Sequence, residues 1–195
     1  KMPLARKFIQ IADNVVIGGA LANNFIKYDG HDVGDSLIDE AADQLVQQIL
    51  ADAQRRYGDK LADHLILPCD VAVSESGELK GERVECDLDA VRAPAKIYDI
   101  GERTIRLVER VVASSGTVIW NGTLGMAEAV NFSRGSARLA LTLAKNPQIV
   151  SVIGGGDTAN FVRGWDALKG GSFSHVSTGG GASLALMAGE DLPGI

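Results

Sequence analysis

The chain has 195 residues, of which 46% are hydrophobic and 23% charged, values typical of a globular protein with a sizeable core. Its formal net charge of −6 argues against a general nucleic-acid-binding surface, which needs a stripe of basic residues. Because no apolar run approaches the roughly 18 residues of a membrane-spanning helix and no signal peptide is visible, we expect a cytoplasmic protein without a membrane partner.

The first third of the chain predicts a strand and two helices. Residues 14–19 ("NVVIGG") have the pattern of a short buried strand that ends in two glycines, and the helix after it stops at Gly30. Asp35 or Ser36 is placed to cap a long helix that runs through Arg56, with apolar residues at near-helical spacing.

The middle of the chain contains two regular stretches and one irregular stretch. Residues 64–68 ("HLILP") predict a second strand. Residues 70–95 are charged and lack periodicity, which predicts the least regular part of the chain, an excursion at the sheet edge. Residues 95–101 ("AKIYDIG") lead to a helix near 102–114, and residues 116–122 ("GTVIWNG") predict another strand.

The last third alternates between helix and strand patterns. In chain order they are the helix "SARLALTLAKN", the strand "QIVSVIGGG", the helix "DTANFVRGW", the strand "SFSHVSTGGG" and the helix "ASLALMAGE". Strand, glycine turn and helix in repetition predict one domain over residues 1–195, an α/β fold with a doubly wound parallel sheet and helices on both faces, a Rossmann-like three-layer arrangement. The glycine turns should then share one edge of the sheet, where ligands bind in such folds.

The stretch "SVIGGGDTANF" (residues 151–161) raises the question of what approaches its backbone so closely. Gly154, Gly155 and Gly156 come just before a predicted helix, whose free N–H groups attract phosphate. Thr158 adds a hydroxyl and an N–H, and Asp157 would tolerate a phosphate if Mg²⁺ lay between them. The alternative is that Asp157 caps the helix and the glycines only tighten a turn.

Two rival signatures fit this stretch poorly. Gly154, Gly156 and Ala159 match the dinucleotide fingerprint G-x-G-x-x-A, but no acidic residue ends the next strand, as that fingerprint requires. The phosphate-binding pattern G-x-x-x-x-G-K-[ST] does not occur.

Two further turns carry candidate ligand-binding residues. Three glycines, Gly179 to Gly181, lie between a strand and a helix and could bind a polyphosphate from a second side. In "WNGTLGMAE", Asn121 and Glu128 could hydrogen-bond a phosphate and a ribose, although Glu128 could equally be an acid at a helix start.

The other side chains that could take part in catalysis or metal binding have simpler interpretations. His175 is favoured as a histidine near a strand end rather than a catalytic group, and Trp120 as a core residue. Cys69 and Cys86 lack metal-ligand spacing and are expected to be free thiols.

Taken in order, these turns resemble the C-terminal, nucleotide-binding half of phosphoglycerate kinase. The motifs that carry the resemblance are "VVIGGALANNF", "DIGERT", "WNGTLGMAE", "FSRGSARLA", "VIGGGDTANF" and "FSHVSTGGGASLALMAGEDLPGI". The resemblance covers nearly the whole chain and is weakest over residues 70–95. It implies a two-domain phosphotransferase with a carboxyl group as acceptor, which passes a phosphoryl group between 1,3-bisphosphoglycerate and ADP in glycolysis with Mg²⁺ as cofactor.

The resemblance also implies roles for individual residues. Gly18 and Gly19 would flank the adenine, and Glu128 would bind the ribose hydroxyls. Asn121 would lie near the phosphates, which would be bound by Gly155, Gly156, Asp157 and Thr158, with Asp157 as the Mg²⁺ ligand. The transferring phosphoryl group would accept hydrogen bonds from the N–H groups of Gly179, Gly180 and Gly181. Lys1, which lies seventeen positions before Gly18, would neutralise phosphate charge. A second lysine and the half that binds 3-phosphoglycerate would lie upstream.

Several residues depart from the family pattern, and they lie near the expected base. Thr123 and Leu124 replace Pro and Met, Ala127 replaces Phe, Glu102 replaces Pro, and Ile97 and Tyr98 replace Gly and Leu.

We therefore carry three hypotheses. The first is the nucleotide-binding half of a monomeric kinase, which would bind Mg-ADP or Mg-ATP and turn over weakly without its other half. The second is a catalytically silent nucleotide-binding or interaction module that keeps the fold. The third, an NAD-dependent oxidoreductase domain, rests on the dinucleotide fingerprint alone.

Overall fold

The computed structural model describes residues 2–177. Seven helices are found in this part of the chain: α1 (Met2–Ile11), α2 (Gly19–Tyr28), α3 (Asp43–Tyr57), α4 (Leu61–His64), α5 (Glu102–Ala113), α6 (Arg134–Lys145) and α7 (Gly156–Trp165). Short 3₁₀ turns cover Gly58–Lys60, Leu88–Ala90 and Val130–Phe132. Among these residues, no helix combines the length and the apolar character that crossing a membrane would require.

Eight strands lie between these helices. They are β1 (Val15–Val16), β2 (Leu65–Ile66), β3 (Asp70–Ser74), β4 (Val84–Asp87), β5 (Lys96–Ile100), β6 (Thr117–Asn121), β7 (Val150–Gly154) and β8 (His175–Ser177). The strands pair as three small sheets, of which β1–β2 and β6–β7–β8 are parallel. Parallel strands joined by crossover helices form the expected Rossmann-like α/β fold.

The helices form where apolar residues recur at helical spacing and find a strand to cover. On α5 the buried apolar residues are Ile105, Val108 and Val112, which pack in one cluster with Trp120 of β6 and Ile153 of β7. A second cluster joins α1, α2 and α3 to β1 and β2, and a third lies under β3 and β5. Burial of these apolar faces stabilises the arrangement of the helices around the sheets.

The long helix predicted from Asp35 or Ser36 is wrong at its start, because α3 begins only at Asp43. The Ser36 hydroxyl instead accepts a hydrogen bond from the Ile97 N–H at 2.8 Å, so this residue ties a turn to β5. The Asp39 N–H donates to Asn24 Oδ1 at 2.9 Å and holds the same turn against α2. Polar side chains that satisfy backbone groups in this way favour turns over helix.

Residues 70–95 differ from the irregular excursion that the sequence predicted. All five residues of β3 are buried, and β3 pairs antiparallel with both β4 and β5. The charged residues that suggested a loop alternate with half-buried residues along β4. A mixture of one buried strand and one half-exposed strand produces no single periodicity across the segment.

Candidate functional site

A cleft of about 1040 Å³ opens between β1 and β6 and extends to the start of α7. Five residues singled out from the sequence line it: Gly18, Gly19, Asn121, Glu128 and Asp157. Each lies at the last residue of a parallel strand, in the loop after it or in the first turn of the next helix, which is where α/β folds bind ligands. The glycines of two predicted turns, Gly18–Gly19 and Gly122, thus line one cleft, and the turn before α7 reaches it through Asp157.

The glycine pair at the start of α2, Gly18 and Gly19, is required by the chain's own packing. A Cβ atom on Gly18 would lie 2.6 Å from Leu124 Cδ2, and one on Gly19, where φ is +60°, would lie 2.7 Å from the Thr123 carbonyl oxygen. The Gly19 N–H donates to the Leu124 carbonyl at 3.1 Å. The segment 122–133, here called the cleft loop, thus crosses directly over the start of α2.

The cleft loop is fixed by hydrogen bonds to three other elements. Its N–H donors and their acceptors are Gly122 to Thr158 Oγ1 at 2.8 Å, Leu124 to Ser136 Oγ at 2.9 Å, and Met126 to the Tyr98 carbonyl at 2.7 Å. Thr158 is buried, so the hydrogen bond that joins the cleft loop to α7 is shielded from solvent. These bonds satisfy backbone groups that have no ladder partner in the loop and hold its shape.

Glu128 lies in a turn of the cleft loop and is exposed to solvent. The alternative interpretation, an acid at a helix start, is wrong because the following 3₁₀ turn begins only at Val130. Trp120 is a core residue as predicted, with its Nε1–H donating to the Gly122 carbonyl at 2.7 Å. Glu128 is therefore an exposed residue of the cleft wall, on a loop held in place by hydrogen bonds.

The start of α7 combines a strained turn with uncapped backbone. Gly155 is the N-cap residue with φ of +93°, and within the described chain no side chain caps this helix. Gly156 and Asp157 are exposed, and a Cβ on Gly156 would have no atom within 4 Å. Free N–H groups at a helix start carry a partial positive charge and bind anions readily.

The donor set around Asp157 suits a metal that is shared with a ligand. Over residues 2–177, no group of three or more His, Cys, Asp or Glu side chains could hold a metal ion. Mg²⁺ commonly takes one or two carboxylates and completes its shell with phosphate oxygens and water. Asp157 suits that mode of binding, since its carboxylate and the free backbone N–H groups of the α7 start come from the same helix turn.

Four of the predicted site residues lie outside the described residues: Lys1, Gly179, Gly180 and Gly181. Gly155, Gly156 and Thr158 are at the start of α7 but are not part of the cleft wall. The alternative that Asp157 caps α7 finds no support, because the helix has no side-chain cap among the residues described.

Sequence reasoning missed a buried charge beneath the cleft loop. The Asp99 side chain is fully buried, and the Arg83 guanidinium donates to its Oδ2 at 2.8 Å. Burial raises the pKa of Asp99, while the Gly135 N–H and Arg83 act to lower it. A signal was present in "AKIYDIG", because an aspartate inside an apolar strand pattern needs a partner.

The two cysteines are free, as expected. Cys69 is exposed, and burial raises the pKa of the half-buried Cys86 thiol. His175 is exposed at the first position of β8, in agreement with a histidine near a strand end.

The family model for phosphoglycerate kinase matches residues 1–190 of this chain. The chain belongs to the phosphoglycerate kinase family. Among curated relatives, a phosphoglycerate kinase from Pelotomaculum thermopropionicum is 39% identical over 94% of this chain, and one from Macrococcus caseolyticus is 33% identical over all of it. The chain spans 44% and 47% of the length of these two relatives.

Solved structures of the family have the same fold. The structure of phosphoglycerate kinase from Coxiella burnetii matches 96% of this chain with a TM-score of 0.86 at 31% identity, and the match covers 47% of that protein. The enzyme from Pyrococcus horikoshii matches 99% of this chain with a TM-score of 0.70 at 29% identity, over 48% of its own length.

Proposed function

We propose that this chain is the nucleotide-binding domain of a phosphoglycerate kinase, a domain that comprises residues 1–195 and holds Mg-ADP or Mg-ATP. In the complete enzyme it would transfer a phosphoryl group between 1,3-bisphosphoglycerate and ADP, giving 3-phosphoglycerate and ATP. The glycerate substrate would be bound mainly by the part of the relatives that this chain does not span. By itself the chain would bind nucleotide and turn over very slowly, because closure of the two halves is needed for transfer.

One observation carries the proposal. The uncapped start of α7, with Asp157 in its first turn, opens at the same cleft as the β1–α2 turn and Asn121. This arrangement supplies backbone N–H groups for phosphates and one carboxylate for a metal, and a cleft of about 1040 Å³ accommodates a nucleotide.

The proposed chemistry relies on neutralising charge. Phosphoryl transfer needs little covalent help from the protein, so positioning and stabilisation of the equatorial oxygens provide most of the catalysis. The N–H groups of Gly156 and Asp157 would bind phosphate oxygens at the start of α7. Mg²⁺, when bound, would neutralise charge on those oxygens while Asp157 holds it in place.

The other proposed roles follow from the family resemblance. Gly18 and Gly19 would flank the adenine, Glu128 would accept hydrogen bonds from the ribose hydroxyls, and Asn121 would contact the phosphates. Lys1 and Gly179–Gly181 would act on the transferring phosphoryl group. All are proposals for this chain.

The test is calorimetric titration of the chain with Mg-ADP and, separately, with ADP in the presence of EDTA. We expect binding that weakens when Mg²⁺ is removed. Asp157→Ala should weaken Mg-ADP binding about 10- to 100-fold, the range for losing a charged ligand interaction, and should abolish the difference between the two titrations.

Asp43→Ala is the matched control. Asp43 is an exposed acid in the first turn of α3 and does not line the cleft, so this variant should bind Mg-ADP like the parent. If the parent shows no heat at millimolar Mg-ADP, the alternative of a catalytically silent interaction module replaces the proposal. Titration with NADH, which should give no signal, tests the dinucleotide hypothesis.

A further inference from the structure

The pairing of Arg83 with Asp99 places a charged contact under the cleft loop. Asp99 is at the end of β5 with a fully buried side chain, and Arg83, just before β4, is only 12% exposed. Besides its bond to Asp99, Arg83 donates through Nη2 to the Ile100 carbonyl at 3.0 Å. The pair therefore fixes the β3–β4 hairpin against the end of β5.

The same two side chains also contact the C-terminal end of the cleft loop and the start of α6. Arg83 Nη1 donates to the Asn131 carbonyl at 3.3 Å, and Asp99 Oδ2 accepts from the Gly135 N–H at 2.9 Å. A Cβ atom on Gly135 would come within 2.6 Å of Asp99 Oδ1, and Gly125 lies against the same carboxylate. Glycine at Gly125 and Gly135 lets the cleft loop and the start of α6 approach the buried carboxylate closely.

Glu128 lies between two anchors that depend on this arrangement. On one side, Met126 donates its N–H to the carbonyl of Tyr98, the neighbour of Asp99, at 2.7 Å. On the other side, Asn131 Nδ2 donates to the Gly81 carbonyl at 3.1 Å, in the same hairpin as Arg83. Movement of this hairpin or of the end of β5 would therefore move the segment that carries Glu128.

The phosphate end of the cleft is anchored differently. The start of α7 is joined to the cleft loop through Thr158 and Gly122, and neither residue contacts Arg83 or Asp99 in the hydrogen bonds described. Loss of Arg83 would leave the buried Asp99 carboxylate with backbone N–H donors but without a counter-charge, which favours uptake of a proton or entry of water. Either outcome disturbs the Asn131 side of the loop first and leaves α7 in place.

We propose that Arg83 and Asp99 are positioning residues that determine where Glu128 lies relative to the cleft. Through Glu128 they control affinity for the sugar of the nucleotide, and they have little influence on binding of its phosphate chain. This inference rests on the proposed function. Neither residue touches the ligand, and both act through the cleft loop.

The experiment compares two ligands on one variant. Arg83→Met removes the charge and keeps an apolar stem, and each protein is titrated with Mg-ADP and with Mg-tripolyphosphate, which has phosphates but no sugar. We expect Arg83→Met to raise the Kd for Mg-ADP about tenfold, equivalent to one lost hydrogen bond, and to leave the Kd for Mg-tripolyphosphate within about twofold. Glu128→Ala should show the same selectivity.

A double-mutant cycle separates positioning from general loss of structure. If Arg83 acts through Glu128, the Arg83→Met and Glu128→Ala effects on Mg-ADP affinity will not add, because the second change has nothing left to remove. Additive effects, or an equal loss for both ligands, would overturn the inference. Arg103→Met is the control, since Arg103 pairs with Asp87 of the same hairpin but does not contact the cleft loop, and it should leave both affinities unchanged.

Arg83→Lys covers the case in which Arg83→Met does not fold. Lysine keeps the charge beside Asp99 but has one nitrogen in place of the two that reach Asn131 and Ile100, so we expect a smaller loss for Mg-ADP with the same selectivity. Unchanged Mg-ADP affinity in this variant would also overturn the inference. If the unaltered chain binds tripolyphosphate and not ADP, the sugar site is absent and the inference fails; if it binds neither, the proposed function itself fails.

Discussion

Gly155 and Gly156 are neighbours in one turn, yet their surroundings constrain them differently. Gly155 has φ of +93°, and a Cβ there would lie 2.7 Å from Asn121 Oδ1. Gly156 has helical backbone and no atom within 4 Å of the position a Cβ would take. The first glycine is therefore required by the fold, while the second leaves open space at the start of α7.

This difference gives a paired prediction. Gly155→Ala should lower the free energy of unfolding by about 1–3 kcal/mol, because alanine would be strained there and crowded by Asn121. Gly156→Ala should change it by less than about 0.5 kcal/mol but raise the Kd for Mg-ADP, since its methyl group enters the space through which a phosphate would approach. Urea unfolding and calorimetry measure the two effects. A Gly156→Ala variant that binds Mg-ADP like the parent would mean that the phosphates lie elsewhere.

At the scale of elements, α1 is held to α3 by polar contacts as well as by apolar packing. Arg6 donates through Nε to Asp52 at 2.5 Å and through Nη1 to Gln48 at 2.9 Å, beside the fully buried Ile9. The hydrogen bond from Arg6 holds the pKa of Asp52 below its usual range, against the effect of burial, and Arg55 adds to this lowering. Asp52 thus serves as the anchor on α3 for the first helix of the chain.

Arg6→Met should loosen α1 without unfolding the rest. We expect a loss of about 1–2 kcal/mol in the free energy of unfolding, because Asp52 loses its more buried partner, and faster hydrogen exchange at the amides of α1. Arg55→Met is the comparison: its side chain is 76% exposed against 39% for Arg6, so its loss should be smaller. Equal losses would show that packing, not the Arg6 contacts, holds α1.

For the molecule as a whole, buried and half-buried carboxylates determine stability toward acid. At Asp166, burial acts to raise the pKa, but N–H groups of Ser172, Leu168 and Gly170 outweigh it and the pKa is lowered. The pKa of Asp52 is lowered too, while that of Asp99 is raised by burial. A lowered pKa means stabilisation that is present above the unfolded value of 3.8 and is lost as the pH falls through the folded value. The raised pKa of Asp99 has the opposite effect, because it favours the folded state more at acid pH than at neutral pH.

Asp166→Asn tests this balance. The amide presents an NH₂ group where the carboxylate accepts N–H donors, so the variant should lose about 1–3 kcal/mol of unfolding free energy at neutral pH. The difference from the parent should shrink as the pH falls below 3.8 and through the lowered pKa of Asp166, because protonation removes the same acceptor from the parent. Thermal unfolding across this pH range measures it, and a difference that does not change with pH would contradict the assignment.

The sequence by itself determined the parallel α/β class, most strand and helix positions and the glycine turns around the cleft. These features follow from local patterns: β6 contains the apolar run 118–120 and is followed by Gly122, and the buried residues of α5 recur at helical spacing. The ordered motifs that identify the family are also local strings of residues. Such features are encoded within about ten neighbouring residues, so they can be read before any tertiary contact is known.

Tertiary structure alone decided the features that depend on distant partners. The turn before α3 exists because Ser36 bonds to Ile97 and Asn24 to Asp39, and β3 is buried because two strands and α5 cover it. Glycine is required at Gly18 and Gly19 because a side chain there would clash with the cleft loop, which is more than one hundred positions away in the sequence. A hydrogen bond or a buried charge needs its partner in space, and neither periodicity nor propensity specifies which distant residue will supply it.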